Sequence, residues 1–349
     1  MKNIPYERFS HYKVNFSSHA FVQEEALQFI REFTSDSEEV LCYTSGSTGI
    51  PRPLWIKKKR MLHSARRTAN YFRLDESKTG LLCLPAKFIG GRMMLVRAMV
   101  SGMKIHSVKP VLNPLSEDPG CTIHFAAFTP AQVSEMLKEK VSRNRFSEIE
   151  SVIIGGAALN PKLEQELTAY PNAIYVTYGM TETVSHIALR KVGETQYTLI
   201  SPAISIGVNA KDCLWIRDKN LSDEVIQTGD VVKLTSPNTF EWLGRIDFAI
   251  NSGGLKIHPE QVEQKIRRLP GWIDRPFFVA SVQDATFGER PVLIVEESPG
   301  GADFNDLKNV LDKYEMPDKI YEVPQFFYTP NGKLNRTETL KMALQLHSR

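Results

Sequence analysis

The chain has 349 residues, 42% of them hydrophobic, which is enough for one large core or a large core beside a small one and excludes a disordered chain. Forty-three basic residues stand against 40 acidic ones, and a net charge of +3 gives no long-range field that would point to nucleic acid. Four scattered cysteines, Cys42, Cys83, Cys121 and Cys213, form no CxxC pair, which argues against a zinc site or a redox pair and fits a reducing cytosol.

The first 16 residues are polar and aromatic without an apolar leader core, and nowhere do about 18 apolar residues run together, so a membrane span is not expected. The expected location is cytoplasmic. From Val40 onward short apolar runs alternate with helical patterns. VLCYTS (40–45), GLLCLP (80–85), TIHFAAF (122–128), SVIIGG (151–156) and AIYVTYG (173–179) read as buried strands. Residues 60–72, 91–102, 130–140 and 160–170 read as helices, the last two with Pro130 and Pro161 near their starts. After about residue 200 the pattern shifts to shorter β-like pieces, over 212–218, 225–235 and 239–247. A second unit follows, with helices over 258–269 and 303–314 and strands over 276–284 and 291–297. The fold class is α/β: a large N-terminal domain of layered α/β sheets over 1–245, then a small α+β C-terminal domain over 246–349. The run Lys57-Lys58-Lys59-Arg60 reads as a solvated edge.

Residues 44–49, Thr44-Ser45-Gly46-Ser47-Thr48-Gly49, place two glycines and four hydroxyls directly after a strand. Glycine lets backbone N–H groups approach an anion, and hydroxyls add donors without fixed charge, which suits a triphosphate. The spacing does not match a G-x-x-x-x-G-K-[ST] loop. An ordinary Ser/Thr/Gly turn is the competing reading.

This stretch resembles the phosphate loop of the ANL superfamily of adenylate-forming enzymes, the AMP-binding acyl-CoA synthetases among them. The resemblance continues in order through Gly155-Gly156-Ala157-Ala158-Leu159, Tyr178-Gly179-Met180-Thr181-Glu182, Thr228-Gly229-Asp230, Gly244-Arg245-Ile246-Asp247, Gly253-Gly254-Leu255-Lys256-Ile257 and Pro330-Asn331-Gly332-Lys333-Leu334-Asn335-Arg336. It implies an acid–thiol ligase that joins a carboxylic acid to AMP and then to a thiol, using ATP, Mg²⁺ and coenzyme A. It also implies that the two domains are joined by a hinge. Attack of a carboxylate on the α-phosphorus needs charge neutralisation and alignment of two anions more than covalent help.

On the resemblance, Glu182 holds Mg²⁺, Thr181 meets the α-phosphate, and Lys333 serves adenylation. Residues 44–49 with Gly155, Gly156, Ala157, Tyr178, Gly179, Asp230 and Arg245 hold the nucleotide. Asp247 is the hinge, and Gly253 and Gly254 admit the pantetheine arm. A solvated acid, a core aromatic, a turn cap and a surface ion pair are the plain structural readings of Glu182, Tyr178, Thr181 and Arg245. Within the superfamily the stretches 84–99 and 178–189 look most like the o-succinylbenzoate–CoA ligases of menaquinone biosynthesis. Phe88 would then wall the acyl site, with apolar core the competing reading, and Arg92, Arg97, Lys87, Ser185 and His186 are candidates for a second carboxylate, with a solvated helix face the competing reading of the two arginines. Arg92 and Arg97 are about 140° apart on a helix, so at most one faces the pocket. Two features depart from the family: the loop ends Pro51-Arg52-Pro53, where Pro-Lys-Gly is usual, and only about 42 residues precede Tyr43. Acyl transfer to a carrier-protein thiol, another acid, and a nucleotide-binding pseudo-enzyme are the alternatives. The partners are small molecules, with a homodimer left open.

Overall fold

The computed structural model describes residues 9–18, 20–44, 52–220, 224–273, 275–297, 304–328 and 334–347, leaving aside the side chains of Tyr43, Thr44 and Arg52. Two compact units organise them. The first lies within Met1–Thr44, Pro51–Ser205 and Arg217–Ile226, the second within Ile206–Ile216 and Gln227–Arg349. The expected boundary near 245–248 falls inside the second unit.

The first unit opens with α1 (Glu24–Thr34), then an antiparallel pair of β1 (Glu39–Thr44) and β2 (Arg52–Lys57), in which Thr44 lies opposite Arg52. Helix α2 (Lys58–Phe72), β3 (Thr79–Leu82), α3 (Ile89–Ser101) and β4 (Lys104–Ser107) follow. Next come β5 (Phe125–Phe128), α4 (Pro130–Lys138), α5 (Lys140–Ser147), β6 (Ser151–Ile154), α6 (Pro161–Leu167), β7 (Ala173–Gly179), β8 (His186–Lys191) and β9 (Gln196–Leu199). The strands lie in the order β9-β8-β7-β6-β5-β3-β4. The pairs from β7 to β4 are parallel, and β7–β8 and β8–β9 are antiparallel.

Strand side chains alternate between faces, and the core follows that alternation. Leu82, Phe125, Ala127 and Ile153 join one cluster with Met61, Leu62, Met93 and Met94 of α2 and α3. Leu81, Ala126, Phe128, Val152 and Ile154 join another with Val133, Met136, Phe146 and Leu163 of α4, α5 and α6. A sheet covered on both faces explains why its strands are unbroken apolar runs. Pro130 and Pro161 do open helices. Thr129 and Gln132 form a capping box ahead of α4, and Asn160 caps α6. The β3-to-β4 crossover uses one face, and the β5-to-β6 and β6-to-β7 crossovers use the other. The chain therefore reverses its winding at the β3/β5 seam, where open α/β sheets bind ligands beyond the strands' carboxyl ends.

β10 (Ile204–Val208), β11 (Cys213–Asp218), β12 (Val225–Ser236) and β13 (Thr239–Arg245) come next and lie in sequence order; Ile206–Ile216 and Gln227 onward belong to the second unit, whereas Asp218 and the starts of β10 and β12 belong to the first. A small sheet follows, with the β14 (Ile250–Ser252) and β15 (Leu255–Ile257) hairpin, α7 (Pro259–Ile266), β16 (Phe277–Asp284), β17 (Gly288–Glu296), β18 (Lys319–Val323) and α8 (Arg336–Leu346). Here too the faces alternate. Phe277, Val279, Leu293 and Val295 pack with Val262 and Ile266 of α7, whereas Phe278, Val292 and Ile294 pack with Ala343 of α8. The helix expected over 303–314 is only a 3-10 turn at Phe304–Asn309. Asn and Asp in that stretch compete for backbone groups, and the Asp312 N–H is taken by Glu315 Oε2 at 3.0 Å.

Candidate active site

Gly155, Gly156 and Ala157 leave the carboxyl end of β6, and Tyr178 and Gly179 end its parallel neighbour β7. The two expected nucleotide segments are therefore brought side by side at the carboxyl ends of the parallel strands. Gly156 has φ of +90°. Tyr178 is half-buried, its ring edge-on to Tyr197 at 5.8 Å. Tyr197 in turn lies under the Arg190 guanidinium at 5.5 Å, and Arg190 pairs with Glu164 of α6. This stack sets the Tyr178 ring from behind.

Beyond Tyr178 the chain folds into a tight turn. A bulge interrupts the β7–β8 ladder between Tyr178 and Gly179, and a Cβ on Gly179 would come within 2.5 Å of His186 Cα and the Ser185 carbonyl oxygen. Only glycine allows that approach. The Thr183 hydroxyl is buried, accepts from the Met180 N–H at 2.9 Å and lies 2.8 Å from the Ser185 carbonyl oxygen. Val184 has φ of +69°, a left-handed conformation that costs a β-branched residue about 1–3 kcal/mol and persists only where surrounding contacts enforce it. Glu182 is exposed at the apex and Thr181 is half-buried beside it. The Arg60 Nη2 donates to the Glu182 carbonyl at 2.7 Å.

Beneath this turn lies a buried polar cluster. Arg97 of α3 donates from Nη2 to Ser185 Oγ at 2.9 Å, and its Nε is buried without a hydrogen-bond partner. Burial pushes its pKa down to about 10, so it stays charged at neutral pH. His186 Nε2 is 3.2 Å from Thr68 Oγ1, and its Nδ1 is 3.4 Å from Ser185 Oγ. Burial first, then Arg97 and Arg67, push the His186 pKa well below its ordinary value, so the ring is neutral. Arg67 pairs with the buried Asp218 but keeps Nε and Nη2 unpartnered, and Ser64 Oγ is unpartnered as well. Arg92 faces elsewhere. It donates from Nε to the Ala86 carbonyl at 3.1 Å and covers the Phe29 ring at 5.0 Å. Phe88 is 52% exposed, with Lys87 Nζ 5.2 Å from its ring, so it is not a core residue.

The second unit holds the remaining described positions. Asp230 is buried on β12 opposite Arg245 of β13, and it accepts from Trp242 Nε1 at 3.2 Å. Thr228 Oγ1 accepts from the Asp230 N–H at 3.1 Å and donates to the Leu214 carbonyl at 2.8 Å. Arg245 reaches Asp230 at 3.7 Å and Asp247 at 2.8 Å, and its N–H donates to Glu260 Oε1 at 3.4 Å. Gly253 and Gly254, with φ of +57° and +83°, form the two-residue turn between paired Ser252 and Leu255. A type I′ hairpin needs two positive φ values, so the turn alone explains both glycines. Ser45, Gly46, Ser47, Thr48, Gly49 and Lys333 lie outside the described residues, as does the side chain of Thr44.

A family model described as AMP-binding enzyme matches residues 10–212. The chain belongs to the AMP-binding enzyme family. A 2-succinylbenzoate–CoA ligase from Staphylococcus epidermidis is 25% identical over 335 residues, 87% of this chain and 70% of that protein. The solved structure of an acyl-CoA synthetase (AMP-forming)/AMP-acid ligase II-like protein from Dyadobacter fermentans is 30% identical, with a TM-score of 0.63. The match covers 91% of this AMP-binding chain and 93% of that one. The o-succinylbenzoate coenzyme A synthetase (MenE) from Bacillus subtilis, solved with ATP and magnesium ion, shares the fold at 21% identity. Its TM-score is 0.73, over 86% of this chain and 69% of that one.

Sequence reasoning missed several of the residues packed around the turn that follows Tyr178. Arg60, Arg67 and Asp218 carried no signal, because their partners are 122 and 151 residues away in the chain. The Lys57–Arg60 run is also not the solvated edge expected. Lys57 and Lys59 are exposed, but Lys58 is buried, donating to the Ser35 carbonyl at 2.8 Å, and Arg60 turns in to Glu182. The run straddles the β2–α2 junction, so successive side chains cannot share one solvated face.

Proposed function

We propose that this chain is a cytoplasmic AMP-forming acid–CoA ligase that adenylates o-succinylbenzoate and passes the acyl group to coenzyme A. The observation that carries the choice of acid is Arg97. A buried, charged guanidinium with a free Nε, beside a neutral His186, is held at a cost unless an anion arrives. A dicarboxylic acid brings one carboxylate to react and a second to meet Arg97 and Ser185. The 2-succinylbenzoate–CoA ligases among its relatives support the same acid.

In this reading Tyr178 and the Gly155–Ala157 segment hold the adenine, and Asp230 accepts from the ribose hydroxyls with Arg245 beside it. Thr181 donates to the α-phosphate, and Lys333 neutralises charge as the acid's carboxylate attacks. No group of three or more His, Cys, Asp or Glu gathers among the described residues. A lone exposed Glu182 suits Mg²⁺, which takes one or two carboxylates and completes its shell with phosphate oxygens and water. Bound there, the ion would neutralise phosphate charge. Asp247 is the pivot between the two half-reactions, and Gly253 and Gly254 leave room for the pantetheine arm. No helix among the described residues is long and apolar enough to cross a membrane.

The test is ATP–pyrophosphate exchange with a panel of acids, followed by thioester formation with free coenzyme A. Exchange with o-succinylbenzoate should exceed that with benzoate or succinate by tenfold or more. Arg97→Met should raise KM for the dicarboxylic acid about 100-fold and leave KM for ATP within threefold. ATP binding without exchange on any acid would make the chain a pseudo-enzyme. Adenylate that stalls until a carrier protein is added would change the acceptor.

A further inference from the structure

Arg60 stands in the first turn of α2, directly after β2. It opens a polar stripe on one face of that helix, continued by Ser64, Arg67 and Thr68 at helical spacing. Both ends of the stripe hold the segment after Tyr178. Arg60 donates to the Glu182 carbonyl at 2.7 Å, and Thr68 meets His186 at 3.2 Å. Arg60 is not a side chain sweeping through solvent. Its Nε is buried without a hydrogen-bond partner. Burial pulls its pKa down while Asp218 pulls it up, and Asp218 is itself fixed by Arg67.

The segment that Arg60 grips is strained at Val184 and pinned at Gly179 and Thr183. Those pins act on either side of Glu182. Arg60 acts on the Glu182 peptide itself, the peptide whose side chain projects outward. A planar fork held at one nitrogen fixes the carbonyl's direction, and with it the direction of the adjoining Cα–Cβ bond.

The geometry points to Arg60 as a positioning residue. It fixes the Glu182 peptide, and with it the carboxylate that would hold the magnesium ion, and it ties that turn to the helix that leaves the β1–β2 pair. This rests on the reading of Glu182 as the magnesium ligand. Arg60 touches neither metal nor nucleotide, and it acts through Glu182.

Arg60→Met, Arg60→Lys, Glu182→Gln and the double variant Arg60→Met/Glu182→Gln test this in the full chain. ATP binding is measured by calorimetry with excess Mg²⁺ and again with EDTA, alongside Tm and the Mg²⁺ concentration for half-maximal pyrophosphate exchange. Arg60→Met should lose about tenfold of the Mg²⁺-dependent part of ATP affinity and leave the EDTA value unchanged, tenfold being about 1.4 kcal/mol. Arg60→Lys should recover about half of that loss on a logarithmic scale. The double variant should be no worse than Glu182→Gln alone, because both changes break one path. Equal weakening with Mg²⁺ and EDTA would mean that Arg60 contacts the nucleotide, and the proposal falls. A lowered Tm with unaltered Mg²⁺ dependence would make Arg60 purely structural. If Glu182→Gln shifts Mg²⁺ dependence and Arg60→Met does not, only this proposal fails. If Glu182→Gln does not shift it, the reading of Glu182 fails and the proposal goes with it.

Discussion

His186 is 5% exposed and sits among cations: Arg67 of α2, paired to Asp218 of β11, and Arg97 of α3. Its folded pKa lies well below the unfolded value of about 6.5, so folding favours the neutral ring. The stability owed to that preference is whole above about pH 6.5 and is lost as pH falls from there through the folded pKa. Each proton excluded contributes a slope of up to about 1.4 kcal/mol per pH unit. Urea unfolding should therefore show stability falling between pH 7 and pH 5. His186→Gln, which keeps a hydrogen-bonding group, should remove part of that fall. The remainder belongs to His106 and His258, both also depressed, chiefly by burial. A His186→Gln curve parallel to the parent would mean that His186 titrates in the fold as it does in the unfolded chain. The family resemblance marks Arg97 and His186, whereas no local pattern marks Arg67 and Asp218, because the cluster's members come from four distant segments.

Whole elements were far easier to read from the sequence than their partners. The apolar runs at β3, β5, β6 and β7 are strands because both faces of the parallel sheet are covered, and that burial is written locally as composition. Pro130 and Pro161 mark helix starts for reasons within one turn. The stretch 303–314 reads as a helix by apolar spacing alone, and its Asn and Asp residues decide otherwise. The motif at 178–182 is legible as residues, but its bulge and left-handed Val184 are not, since those come from crowding between β7 and β8. Gly179→Ala tests the bulge. A Cβ there meets backbone atoms of residues 185 and 186, which cannot move without shifting β8. Overpacking of this kind costs about 1–3 kcal/mol, read as a lowered Tm. Adenylation should fall about 100-fold because Glu182 and Thr181 ride on the displaced turn. Activity within threefold of the parent would mean that the turn tolerates the methyl and does not set the site.

At the scale of the molecule, the motifs divide between two compact units. The segments at 155–157 and 178–182 belong to the first, and Asp230, Arg245, Asp247 and the Gly253–Gly254 turn belong to the second. The last motif, residues 330–336, itself divides by role. Arg336 is a structural anchor. It makes a two-pronged pair with Glu263 at 2.7 and 2.8 Å, accompanied by the Phe248 ring at 5.1 Å. Lys333 lies outside the described residues, and its assignment to adenylation rests on the family motif. A ligase of this kind runs two reactions on one acyl group, and only the first must neutralise a leaving pyrophosphate. Lys333→Ala should therefore lower pyrophosphate exchange by about 100-fold or more, the scale on which a lost transition-state donor is felt. Thioester formation from a supplied acyl-adenylate should stay within about threefold, with Tm unchanged. Arg336→Ala should behave in the opposite sense. It leaves Glu263 half-buried without its cation, costs about 3–5 kcal/mol of stability and depresses both half-reactions together. Equal loss of both half-reactions in Lys333→Ala would mean that the lysine, too, is an anchor. The chemical role would then have to pass to another cation of the second unit, with Arg245 next in line.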